Sequence, residues 1–64
     1  MSVSQVRLLV GKRCAIRWTD RHGNEMENIG LIQEVRFVPM YGAYVITPAD
    51  EVSLDKVIDI EPLD

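Results

Sequence analysis

The fold is decided by the stretch Arg13–Asp20, which reads RCAIRWTD, and by the turn that follows it. Its bulkier apolar side chains occupy every second position, and these are Cys14, Ile16 and Trp18. A spacing of two predicts a β-strand that buries one face. The next four residues, Arg21–Asn24, include Gly23 and Asn24, which tolerate the positive φ that tight hairpins require. The stretch therefore predicts the first strand of an antiparallel hairpin.

Downstream, residues Glu25–Val38 predict a second, longer strand that bends. Gly30 lies in its interior, where glycine usually marks a bulge or a sharp bend. The apolar spacing changes beyond this point, and one extra residue near Gln33 and Glu34 would explain the change. A bent strand of this kind lets a sheet curl and close on itself.

Three shorter strands are predicted at Ala43–Thr47, Val52–Leu54 and Ile58–Glu61. Asp55–Val57 predicts one 3-10 turn before the last of them, with Asp55 as its cap. Five short strands, one of them bent, predict a mainly β fold that closes into a small barrel, because closure removes exposed strand edges.

The segment ahead of the first strand predicts either a short helix or an extended lead-in. Ser4 would cap such a helix, and Gly11 would end it in the left-handed conformation. The apolar residues between them fit a helical stripe, but they also alternate as in a strand. We expect a single domain over residues 1–64, with the lead-in at 1–11 and the barrel at 12–61.

The composition limits which chemistry the chain can carry. It has 64 residues with one cysteine and one histidine, so we expect no internal disulfide, no metal site and no cofactor.

Residues 1–11 lack the pattern of a secretory signal, and a single cysteine fits a reducing compartment, so we expect a cytoplasmic protein. No apolar run reaches the length of a membrane span. Small domains without such cross-links often oligomerise, which favours a homo-oligomer.

The sequence offers no convincing catalytic set, and we expect the protein not to be an enzyme. A nucleophile needs a base within hydrogen-bond reach. Cys14 falls on the predicted buried face, whereas His22 falls in the turn. Glu25 and Glu27 share a strand face, but an acid–base pair needs a water-poor cleft, and solvated surface charge is the simpler interpretation.

Residues 35–46 contain a single charge, Arg36, and this charge-poor stretch predicts a protein-binding surface. Its large apolar side chains cannot all point inward, because strands alternate and loops are exposed. An exposed apolar cluster marks a contact surface. The predicted surface consists of Phe37, Val38, Met40, Tyr41 and Tyr44. The alternative is that this loop folds over one end of the barrel and completes the core.

The charge is unevenly distributed, which raises a second candidate function. Residues 1–24 carry five basic groups and one acidic group, whereas residues 25–64 carry two basic and nine acidic groups. Arg13 and Arg17 share a strand face and Arg21 follows in the turn, so these arginines are candidate contacts for single-stranded DNA or RNA. The net charge of −3 opposes such binding, and the arginines would alternatively form ion pairs with the acidic part of the chain.

The pattern resembles the SH3-type small β-barrels, which include Sm-like folds, and more narrowly the barrel half of the YolD-like family. The resemblance is carried by Gly11–Arg17, Ile29–Val35 and Val52–Glu61. It implies a five-stranded SH3-like (Sm-like) barrel with a short N-terminal helix. YolD-like proteins are associated with error-prone DNA polymerases as presumed partners, which implies an accessory role in DNA or RNA transactions. The region before the barrel is shorter than in that family, and Val52–Asp55 replaces the Sm signature that lines the RNA site.

Together these observations predict a non-catalytic interaction module, or adaptor, that binds a protein partner or a second copy of itself. The alternative is a single-stranded DNA- or RNA-binding Sm-like barrel that uses the three arginines.

Overall fold

The computed structural model describes residues 2–63, so Met1 and Asp64, the ends of the predicted domain, lie outside the described residues. Six strands form two three-stranded antiparallel sheets, sheet A in the order β2-β1-β6 and sheet B in the order β3-β4-β5. The elements along the chain are α1 (Val3–Arg7), β1 (Arg13–Thr19), β2 (Glu25–Leu31), β3 (Glu34–Val38), β4 (Gly42–Ile46), β5 (Glu51–Ser53), a 3-10 turn (Leu54–Lys56) and β6 (Val57–Pro62).

The prediction of a closed, five-stranded SH3-like (Sm-like) barrel is wrong. Residues Glu25–Val38, predicted as one bent strand, form two strands in different sheets, and the described residues form no closed barrel. The division falls where the backbone changes partners. The Ile32 amide donates to the Lys12 carbonyl beside β1, whereas the next amide, that of Gln33, donates to the Ile46 carbonyl of β4. Because consecutive amides bond to different sheets, the strand is interrupted there.

Gly30 does not mark the bend that the sequence predicts. It pairs with Cys14 inside the regular β1–β2 ladder. A Cβ on Gly30 would lie 3.5 Å from the Cβ of Thr47, which is an ordinary van der Waals distance. The chain turns two residues later, at Ile32 and Gln33, close to the predicted irregularity near Gln33.

The core draws on both sheets and on α1. The alternation predicted for the first strand is confirmed, since Cys14 and Ile16 are buried and Trp18 packs half-buried against them. The buried cluster consists of Val6, Cys14, Ile16, Ile32, Val45 and Ile60. The buried residues therefore come mainly from β1, β4 and β6 with Ile32 and α1, whereas no residue of β2 or β3 is buried.

The lead-in forms a helix, but its cap differs from the predicted one. The Ser2 hydroxyl accepts from the Gln5 amide, and the Gln5 side chain accepts from the Ser2 amide, at 3.2 and 2.9 Å. This reciprocal capping box satisfies two amides at the helix start, a role that the sequence suggested for Ser4. A five-residue helix is unstable alone, and the burial of Val6 in the core holds it in place.

The remaining elements follow the predicted order with small shifts. The 3-10 turn precedes the last strand as predicted, but it spans Leu54–Lys56, and Ser53 rather than Asp55 stands at its start. Gly23 has a φ of +83°, which confirms its part in the first hairpin, whereas Asn24 has no positive φ. Neither helical segment of residues 2–63 has the length and apolar content of a membrane span.

Candidate protein-binding surface

The hairpin of β3 and β4 sorts its side chains onto two faces. Residues paired across antiparallel strands share a face, and successive pairs alternate. Val35 pairs with Val45, which is fully buried, so this pair faces the core. Arg36 pairs with Tyr44 one position along, and this pair consequently faces away from the core.

A groove of about 300 Å³ lies on the solvent-facing side of sheet B. It is lined by Arg36, Val38, Tyr41, Tyr44, Ile46 and Glu51, and we call it the hairpin groove. The lining is mostly apolar, with two charged side chains of opposite sign. Its volume is at the lower end of the range for ligand pockets, which suits one or two inserted side chains better than a cofactor.

The turn between β3 and β4 holds an unusual backbone conformation. The Tyr41 amide donates to the Val38 carbonyl at 3.0 Å, which closes a four-residue turn with Pro39 and Met40 at its centre. Met40 has a φ of 75°. Proline followed by a residue of positive φ defines a type II turn, in which the second position favours glycine or asparagine. Among residues 2–63, Met40 is the one non-glycine residue with positive φ.

The side chains of this turn are open to solvent. Met40 is 99% exposed and Tyr41 is 70% exposed. These two residues and Pro39 form what we call the hairpin tip. Neither Met40 nor Tyr41 covers the core, as the alternative interpretation of this loop required. A large apolar side chain therefore projects fully into water from a backbone conformation that ordinarily disfavours it.

The structure brings three of the five predicted surface residues together. Val38, Tyr41 and Tyr44 line the hairpin groove, and Met40 stands beside them at the tip. Phe37 is 68% exposed, but it is one position along from Val38 and lies on the opposite face of the hairpin. Phe37 is therefore exposed without being part of the groove.

Sequence reasoning missed three groove residues, Arg36, Ile46 and Glu51. Two of them could have been predicted from strand alternation, which places residues two positions apart on the same face. Ile46 is two residues from Tyr44 on β4, and Arg36 is two residues from Val38 on β3. Glu51 carried none. It reaches the groove through the pairing of β5 with β4, where it lies opposite Ile46.

No family model matches this chain, nor does any curated protein or solved structure. The role of the hairpin groove and of the hairpin tip is accordingly argued from their own residues. The same holds for the second candidate surface, on the solvent-facing side of sheet A.

That second surface places the candidate arginines among carboxylates. Arg17 lies at the centre of β1 on the side away from the core. Its guanidinium is 3.3 Å from a carboxylate oxygen of Glu25 and 2.9 Å from one of Asp59. Glu27 lies directly opposite on β2, and Glu61 lies opposite Ala15 on β6. We call this surface, formed by Arg17 with Glu25, Glu27, Asp59 and Glu61, the acidic face.

The three candidate arginines do not form a free basic stripe. Arg13 and Arg17 share a face of β1, and Arg21 follows in the turn, as the sequence indicated. However, Arg17 is engaged by two carboxylates, and the local excess of negative charge opposes an approaching phosphate. Tyr41 and Tyr44, the two tyrosines of the chain, lie on the surface of sheet B, so they do not provide base-stacking rings beside these arginines on sheet A.

The turn between β1 and β2 is organised by Asp20. Its carboxylate accepts from the amides of His22 and Asn24 at 2.8 and 2.9 Å, and also from the Asn24 side chain. The Asn24 amide is the main cause that lowers the pKa of Asp20 below its ordinary value of 3.8. Desolvation opposes it as the second-largest effect, and the His22 amide, the Asn24 side chain and nearby Arg21 each lower the pKa further by smaller amounts.

Cys14 and His22, the two residues considered for nucleophilic catalysis, are not brought together. Cys14 is buried in the core, and its sulfur lies 3.7 Å from the Lys12 carbonyl. His22 is exposed in the first turn. Over the part of the chain that the structure describes, no group of three or more histidine, cysteine or acidic side chains is arranged to hold a metal ion.

Proposed function

We propose that this chain is a non-catalytic interaction module that binds a protein through the β3–β4 hairpin. The contact surface comprises the hairpin tip and the hairpin groove. The observation that carries the proposal is Met40, a large apolar residue with 99% exposure and a φ of 75°.

Met40 is unfavourable in the single chain for two reasons, its left-handed backbone and its solvent-exposed apolar side chain. A left-handed backbone costs a residue with a Cβ about 1–2 kcal/mol, and glycine at the same position would avoid that cost. The exposed side chain recovers none of it, since it buries no area in the single chain. Strained residues persist where they serve a site, and exposed apolar clusters mark contact surfaces. A partner that covers Met40 would supply the missing contacts.

The groove supports a protein as the ligand. Tyrosine and methionine are enriched at protein interfaces, and tyrosine adds a polar hydroxyl to its apolar ring. Val38 and Ile46 provide an apolar floor, while Arg36 and Glu51 offer polar contacts at the rim. This arrangement of apolar centre and charged rim is typical of a protein interface.

An accessory role in DNA or RNA transactions, as the resemblance to the YolD-like family implies, extends this proposal. It is supported by the similar spacing in three segments of the sequence and by no contact in the structure. Direct binding of single-stranded nucleic acid through Arg13, Arg17 and Arg21 has less support, because the acidic face surrounds Arg17.

The proposal is tested by affinity capture from a lysate of the source cells with matched variants. The tagged wild-type chain, Met40→Gly and Tyr44→Glu are compared after nuclease treatment, with bound proteins quantified by mass spectrometry. Leu8→Ser is the control, because Leu8 is also exposed, at 77%, but lies outside the hairpin. We expect a protein that wild type and the control retain and that both hairpin variants lose.

Two results would contradict the proposal. One is a set of bound proteins that is the same for all four chains, which would place binding elsewhere. The other is recovery that depends wholly on nucleic acid and disappears with nuclease, which would favour the arginines instead.

A further inference from the structure

We infer that the protein bound by the hairpin is a second copy of this chain, with the hairpin tip of each copy seated in the hairpin groove of the other. The inference rests on the proposed function and names its partner. It is carried by three features of the hairpin: the lack of charge over residues 37–49, the adjacency of tip and groove, and the exposure of Met40.

The charge distribution of the hairpin permits contact with the same hairpin of a second copy. At a two-fold axis each surface meets the same surface of the partner, so a charged face repels itself. Residues 37–49 contain no charged side chain, although the chain as a whole has seven basic and ten acidic residues. The acidic face, with four carboxylates around Arg17, is unsuited to such a contact. Apart from Glu34, Arg36 and Glu51, sheet B therefore offers an uncharged surface on which two acidic chains can approach each other.

Tip and groove adjoin on one hairpin, which suits a reciprocal contact. Tyr41 belongs to both, since it is part of the turn and lines the groove. Met40 does not fill its own groove, because it is 99% exposed. A two-fold axis close to Tyr41 would let both copies insert Met40 at the same time. The groove, at about 300 Å³, has room for a methionine side chain.

The groove chemistry fits this occupant. Methionine is flexible and its sulfur makes favourable contacts with aromatic rings, here those of Tyr41 and Tyr44. Arg36 already forms an ion pair with Glu34 of its own strand, but its guanidinium is more than half exposed and could also meet Glu51 of a second copy. Because the contact is confined to one hairpin of each copy, we expect a weak dimer, with a Kd on the order of 10 µM or higher.

Sedimentation velocity over a range of concentrations tests the inference. We expect wild type and Leu8→Ser to shift from monomer toward dimer as concentration rises. Met40→Gly removes the inserted side chain, and Tyr44→Glu replaces an aromatic groove wall with a carboxylate next to the existing Arg36–Glu34 ion pair. We expect each variant alone to dimerise at least tenfold more weakly than wild type.

Mixing the two variants distinguishes reciprocal insertion from other dimers. Each variant alone has no intact tip-in-groove contact, whereas the mixed pair has one, formed by the tip of Tyr44→Glu and the groove of Met40→Gly. We therefore expect the equimolar mixture to associate more strongly than either variant alone. Circular dichroism of each chain verifies that it is folded, and Tyr41→Ser replaces any variant that is not.

Three outcomes would overturn the inference: a wild-type chain that stays monomeric to about 1 mM, dimerisation that Met40→Gly leaves unchanged, or a mixture no stronger than its components. The lysate experiment separates these failures from failure of the proposed function. A different protein that is lost with Met40→Gly keeps the hairpin as a binding surface, and only the second copy is then rejected.

Discussion

Met40→Gly should stabilise the isolated chain, although it removes a large side chain. Met40 holds a φ of 75°, and its side chain is 99% exposed, so the substitution relieves strain and removes no buried contact. Relief of the left-handed conformation is worth about 1–2 kcal/mol. The greater freedom of glycine in the unfolded chain takes back about 0.5–1 kcal/mol. The net gain is about 0–1.5 kcal/mol, and its central value of about 0.75 kcal/mol corresponds to a rise in Tm of roughly 3–6 °C for a domain of this size.

The assay is thermal and urea denaturation followed by circular dichroism, at a concentration low enough to keep the chain monomeric. Met40→Ala is the matched control, because alanine also removes the exposed side chain but keeps the Cβ that causes the strain. We expect Met40→Ala to match wild type within a few tenths of a kcal/mol and Met40→Gly to exceed both. Equal stability of the two variants, or a loss with glycine, would refute the argument that the turn is strained at this residue.

Three further predictions concern other parts of the chain. Because its folded-state pKa is lowered, the Asp20 carboxylate stabilises the first turn above pH 3.8, and this stabilisation is lost as the pH falls through the folded-state pKa. The NMR chemical shift of the Asn24 amide should therefore titrate with a midpoint below pH 3.8, and a midpoint at or above that value would contradict the prediction. Gly30→Ala should raise the free energy of unfolding in urea by about 0.5 kcal/mol, since the new Cβ would lie 3.5 Å from the Cβ of Thr47, an ordinary contact distance; a lower midpoint would show that the methyl group is crowded there. A double-mutant cycle of Arg17→Ala and Asp59→Ala should give a coupling of about 0.5–1 kcal/mol that shrinks in 1 M salt, and zero coupling would mean that the 2.9 Å ion pair is energetically silent.

The parts of the fold that could be predicted depend on local spacing. The alternation of Cys14, Ile16 and Trp18 predicts β1 almost to the residue, because a strand repeats every two positions whatever it pairs with. The division of the long strand at Ile32 and Gln33 could not be predicted in the same way. It depends on which distant carbonyl each amide reaches, and the intervening sequence does not encode those partners locally.

The candidate surface could also be predicted only in part from local sequence features. The hairpin tip was predictable, because an uncharged run with proline and glycine leaves large side chains no place in a small core. The strain at Met40 was not, since methionine carries no preference for positive φ and the turn type follows from the pairing of the strands around it. Likewise, the ion pair of Arg17 with Asp59 joins residues 42 positions apart, which charge counting suggested only in general terms.

The position of β1 between β2 and β6 has a consequence for how the chain acquires its structure. β1 pairs with β6, the last strand in the sequence, and Ile60 of β6 belongs to the buried cluster. Sheet A is therefore complete only after β6 has been added. Contacts between residues so far apart in sequence slow folding, because a long loop must close before they form. During synthesis, β1 and β2 therefore emerge as a hairpin with one bare edge and an uncovered core face, and the native structure is reached only once β6 has been released to complete the sheet.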